Sequence, residues 1–91
     1  MKMKNYHKLE RVVRGFSNHR RIQIIELLKR KPELSVSDIA DELNINHKTA
    51  SEHIRRLAIS GLVLKRSEGP AVRHTLTHAG DSILMFLRTL E

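Results

Sequence analysis

The stretch "NINHKTASEHIRRL", residues 44–57, decides how the rest of the chain is read. Asn46 has the side chain of a helix N-cap, and beyond it Ala50, Ile54 and Leu57 recur at i, i+4 and i+7, so three apolar residues share one helical face. Lys48, Thr49, Ser51, Glu52 and Arg55 are left pointing outward. A helix held from one side and polar on the other is offered to something outside the protein.

Working outward, Ser35 is placed to cap a preceding helix of about eight residues, with Asp38 reaching back to it and Ile39, Ala40 and Leu43 as the core face. Asn44, Ile45 and Asn46 form the turn between the two helices, Ile45 plugging inward. Further upstream, residues 5–15 read as a basic helix with Leu9, Val12, Val13 and Phe16 on one side, ending near Gly15. Ser17 or Asn18 then caps a second helix, with Ile22, Ile25, Leu27 and Leu28 as its apolar face and Pro32 as its stop. Downstream, the helix that starts at His47 runs to about Ser60 and is closed by Gly61. The period then changes to two: "LVLKRS" and "AVRHTLT" flank "EGP" as a hairpin. Thr77 caps a last helix carrying Ile83, Leu84, Phe86, Leu87 and Leu90.

Two short helices joined by a tight turn and followed by a two-stranded wing make a winged helix-turn-helix, whose second helix enters the DNA major groove. The expected fold class is mainly α with a small β-hairpin wing, in one domain over residues 1–91. Within it, residues 1–16 form the basic helix, 36–60 the helix-turn-helix, 62–77 the wing and 78–91 a C-terminal dimerisation helix.

Composition points the same way. A formal net charge of +7 calls for a polyanion, and the excess is concentrated: residues 1–34 hold ten Lys and Arg against three acids. The absence of cysteine excludes disulfides, thiolate metal sites and thiol redox sensing. The run from Ile83 to Leu87 is too short to span a bilayer, and the first eight residues lack the apolar core of a signal peptide, so a cytoplasmic protein without membrane contact is expected. No phosphate-cradling glycine loop or nucleophile-elbow motif is present, and an enzyme is not expected.

Side chains near the start of the helix beginning at His47 have the shortest reach to base edges. Lys48 suits guanine acceptors, Thr49 and Ser51 suit bases or phosphates, and His47 suits the backbone. Arg55 and Arg56 lie where the helix leaves the groove and are matched to phosphates. Lys65, Arg66 and Arg73 on the wing strands would meet phosphate or the minor groove, with the acidic Glu68 at the tip. The apolar surplus on the last helix, joined by Leu9, Val12 and Val13 of the first, is expected to dock on a second subunit through Ile83, Leu84, Phe86, Leu87 and Leu90.

"SNHRRIQIIELL", "LSVSDIADELNINHKTASEHIRRLAISGLV" and "VRHTLT" resemble the ArsR-type winged-helix repressors over about residues 15–77. The resemblance implies a homodimeric, sequence-specific regulator that binds an inverted repeat in double-stranded DNA, dimerises through its first and last helices, and blocks, or occasionally assists, transcription. By matching position it places Lys48, Thr49, Ser51 and His53 on the recognition helix, Arg21 at the helix-two arginine, and Arg66 and Arg73 on the wing. Three departures stand out. Ser35 and Ser37 occupy the positions of the metal sensors' cysteine pair, the last helix offers only His78, Asp81 and Glu91 without the family's ligand spacing, and Glu52 stands where members often hold a basic residue.

Neither a metal nor a cofactor is expected. His7 and His19 match no ligand motif, and the boundary between wing and last helix separates His74 from His78. His53 suits either a phosphate or a buried neighbour. Two other readings remain open: a sequence-indifferent architectural protein tracking phosphates with Lys2, Lys4, Lys8, Arg11 and Arg14, and a winged-helix module that binds protein.

Overall fold

The computed structural model describes residues 4–91. Lys2, one of the lysines of the architectural reading, lies outside the described residues. Along them run α1 (Tyr6–Phe16), α2 (His19–Arg30), α3 (Val36–Leu43), α4 (His47–Ile59), β1 (Val63–Glu68), β2 (Ala71–Leu76) and α5 (His78–Arg88).

Helix starts follow local capping chemistry. The side chains of Asn5, Asn18, Ser35, Asn46 and Thr77 each accept a backbone N–H of the first turn, relieving donors that no helix can satisfy internally. Ser35 and Asp38 form the reciprocal capping box. Helix ends are equally local. Gly61 at φ +77° closes α4, its N–H donating to the Ala58 carbonyl while the Leu62 N–H donates to that of Leu57.

α1 runs through Gly15 and ends one residue later at Phe16. Gly15 is there for proximity: a Cβ on it would lie 1.9 Å from the Ser60 Oγ at the end of α4. Gly80 in α5 is similar, since its Cβ would lie 2.2 Å from the Leu62 carbonyl oxygen.

The core joins Phe16, Ile24, Ile25, Leu27, Leu28, Ile39, Ile54, Leu57, Leu62, Val63 and Leu84. Ile24 is fully buried and was missing from the expected face of α2, whereas Ile22 is only half-buried. The reason is position: α2 touches α1, α3, α4, α5 and β2, so more than one of its faces is covered and a single-stripe reading underestimates it.

The hairpin pairs antiparallel from Val63 with Leu76 to Glu68 with Ala71 around a Gly69-Pro70 turn, with Gly69 at φ +59°. β2 is bordered on its other side by a bridge between Leu34 and His74. The Glu33 N–H donates to the His74 carbonyl at 3.0 Å and the His74 N–H to the Leu34 carbonyl at 2.8 Å, which fastens the wing to the segment before α3.

Candidate nucleic-acid interface

The turn between α3 and α4 sets the direction of the exposed helix. Asn44 adopts the left-handed conformation at φ 53°, and the Ile45 N–H donates to the Ala40 carbonyl, so the chain reverses within two residues. Asn46 then starts α4, its Oδ1 accepting the backbone N–H groups of Lys48 at 2.7 Å and Thr49 at 3.3 Å. Ala50, Ile54 and Leu57 are buried as the spacing predicts. His47, Lys48, Thr49, Ser51, Glu52, Arg55 and Arg56 are all exposed along the opposite face.

That face has an internal ion-pair network. Both Glu52 carboxylate oxygens meet Arg55, at 3.1 Å to Nε and 2.8 Å to Nη2, and Oε1 also lies 3.3 Å from Arg56 Nε. The Arg55 hydrogen bonds, backed by the charges of both arginines, hold the Glu52 carboxyl down at about 2. Lys48 has no carboxylate partner among the described residues.

Two residues expected at the DNA also make contacts between helices. Arg21 is half-buried; its Nη2 donates to the Arg14 carbonyl at 3.3 Å and its Nη1 approaches His53 Nδ1 at 3.4 Å. An arginine only donates, so this contact requires a neutral His53 whose Nδ1 accepts. Burial and then the neighbouring Arg21 charge push the His53 pKa down, which agrees. Burial and the Arg56 charge also lower Arg21. These two side chains clasp α1, α2 and α4 together.

On the wing, Lys65 and Arg66 are exposed and Arg73 is half-buried. Arg66 pairs with Arg73 across the strands, a like-charge neighbour relation that needs compensation. Glu33 and Glu68 supply it. Arg66 is paired with the Glu33 carboxylate and lies 3.3 Å from that of Glu68, while Arg73 donates to the Glu33 carbonyl at 3.1 Å. His74, set aside in the sequence as a metal candidate, is a fully buried wing residue with Nδ1 2.9 Å from the Leu34 carbonyl. A carbonyl only accepts, so Nδ1 carries the proton. Its place was legible: Val72, His74 and Leu76 alternate along β2, and the alternation puts His74 inward.

A second surface lies on α1 and α5. Tyr6, Leu9 and Val13 on the first and Met85 and Phe86 on the second, with Leu90 just beyond it, are each more than half exposed. Val12, Ile83 and Leu87 are half-buried against the chain's own core. Leu84 corrects the expected docking set: it is fully buried in that core and unavailable to a partner. Asp81 of α5 is ion-paired to Lys29 at 2.7 Å, which ties this helix to α2.

Residues 18–65 match the model of the family described as bacterial regulatory protein, arsR family. The chain belongs to the ArsR family. Among sequence relatives, this ArsR protein is 33% identical over 67 residues to an uncharacterized HTH-type transcriptional regulator of Methanocaldococcus jannaschii, covering 74% of this chain and 75% of that one. It is 34% identical over 74 residues to the transcriptional activator HlyU of Vibrio cholerae, covering 81% and 68%. Among solved structures, the homodimeric winged helix-turn-helix DNA-binding domain of a possible ArsR-family regulator from Mycobacterium bovis superposes with a TM-score of 0.85 at 26% identity, covering 99% of this chain and 89% of that chain. In ArsR terms, α3 and α4 are the helix-turn-helix, β1 and β2 the wing, and this protein is a winged helix-turn-helix transcriptional regulator.

Proposed function

We propose that this regulator binds double-stranded DNA as a homodimer on an inverted repeat, and that seating the dimer over a promoter represses transcription. The observation that carries the reading is α4: an exposed polar face with Lys48, Thr49 and Ser51 at its start, on a helix fixed by Asn46 and a buried apolar face. Lys48 reads base acceptors, Thr49 and Ser51 contact bases or phosphates, and His47 meets the backbone. Arg55, Arg56, Lys65, Arg66 and Arg73 contact phosphates.

The exposed apolar stripes of α1 and α5 supply the dimer contact, through Leu9, Val13, Met85, Phe86 and Leu90, with Tyr6 as an addition the sequence did not suggest. The homodimeric state of the Mycobacterium bovis domain supports this assembly, and a two-fold dimer matches a two-fold operator. A transcriptional regulator of this bacterial family would act in the cytoplasm, and no described helix is long and apolar enough to cross a membrane.

The test is Lys48→Ala in binding assays against a panel of single-base operator variants. The expected result is loss of discrimination at one position per half-site, worth about 1–3 kcal/mol for a bidentate base contact. A uniform loss across all duplexes would move Lys48 to the phosphates.

A further inference from the structure

Every arginine on the outward face of α4 and on the wing strands is already engaged. Glu52 grips Arg55 through both oxygens and shares one of them with Arg56. Arg66 is paired with the carboxylates of Glu33 and Glu68, and Arg73 with the carbonyl of Glu33. Lys48 and Lys65 carry no such ion pair among the described residues.

Glu33 is held for its task in an unusual way. Its φ of +70° is a left-handed conformation that disfavours a side chain with a β-carbon. The backbone bonds of Glu33 and Leu34 to His74 pin it there and set the carboxylate beside the wing. Local strain at a glutamate, where glycine or asparagine would sit more easily, points from the backbone outlier to a use for the side chain.

We propose that Glu52 and Glu33 are specificity-determining residues that act as internal competitors for DNA phosphate, holding Arg55 and Arg56 of α4 and Arg66 of the wing away from any duplex that offers phosphates alone. This rests on the DNA reading above. Phosphates are present on every duplex, and each arginine contact to one supplies counterion-release affinity without sequence information. Here such a contact first requires an Arg–Glu pair to be broken, and it leaves a carboxylate facing the phosphates. On α4 the exchange is recovered only where the groove gives the released Glu52 carboxylate a donor, and in the major groove that donor is an exocyclic base amine, foremost that of cytosine. Lys48 and Lys65, free of such clamps, make the first contact.

The experiment is a double-mutant cycle on the full-length protein, read by binding to a duplex selected by the wild type and to an unrelated one over a range of salt. Glu52→Gln is expected to tighten the unrelated duplex by about threefold to tenfold, the range for releasing two exposed ion pairs, and the selected duplex less, so that the affinity ratio narrows. The salt slope on the unrelated duplex is expected to steepen by about two, one per released arginine, where loss of a single negative charge accounts for about one. In an Arg55→Gln, Arg56→Gln background the same substitution is expected to steepen the slope by only about one, which loss of its own charge accounts for. Glu33→Gln is expected to act on the wing through Arg66 alone, since the Glu33 backbone carbonyl holds Arg73 in either case, and to lose most of its gain in Arg66→Gln. An unchanged affinity ratio, or a gain that keeps its full size without the arginines, overturns the proposal while the DNA reading stands. A wild type that retards no duplex at low salt overturns both.

Discussion

Asn46 serves two ends with one side-chain oxygen. It satisfies the first free N–H groups of α4, and by doing so it fixes where that helix starts and so which side chains lead. Asn46→Ala is expected to cost about 1 kcal/mol of stability, measured by urea denaturation, and to weaken DNA binding further than the loss of fold accounts for. His74 gives a pH prediction at the same scale. Burial pushes its pKa below the ordinary 6.5, and the nearby Lys65 charge adds to this while the Leu34 hydrogen bond opposes it. The unfolded chain therefore binds more protons just below 6.5, so stability is complete above that value and falls as pH drops through the window beneath it. His53 acts in the same sense. Melting temperatures between about pH 7.5 and 5.5 are expected to fall for the wild type, less for His74→Gln, and least for that change combined with His53→Gln. Equal slopes in all three would remove these two histidines as the cause. Gly80→Ala is expected to cost about 1–3 kcal/mol, because the added Cβ meets the backbone oxygen of Leu62 and not a movable side chain.

The helices α1 and α5 each have more apolar surface than the chain itself covers. Phe86→Glu combined with Leu9→Glu is expected to leave the fold intact, since both side chains are exposed, and to convert a dimer to a monomer by light scattering. An unchanged mass would place the subunit contact elsewhere. Elements were largely legible in the sequence because their ends are written locally: Asn18, Ser35, Asn46 and Thr77 all cap the helices that their positions suggested, and Gly61 closes α4. Illegibility began where tertiary position overrides periodicity. α2 is covered on several sides, so Ile24 was missed. The candidate site divides in the same way. Its outward residues on α4 followed from spacing alone, whereas the engagement of Arg21 with His53, and of Arg66 with Glu33, joins residues about thirty positions apart, and no local pattern contains it.

At the scale of the whole molecule, the net charge of +7 and the paired arginines act in opposite senses. The charge draws the protein to any duplex, and the carboxylates limit what that attraction yields once contact is made. A dimer of such subunits presents two α4 helices, one for each half of a two-fold operator. The most direct test is to let the purified full-length protein select duplexes from a random library at near-physiological salt and to sequence what it retains. The account predicts enrichment of an inverted repeat with half-sites about one helical turn apart. Retention of DNA with no enriched sequence would contradict it, leaving a phosphate-tracking protein in place of a reader of sequence.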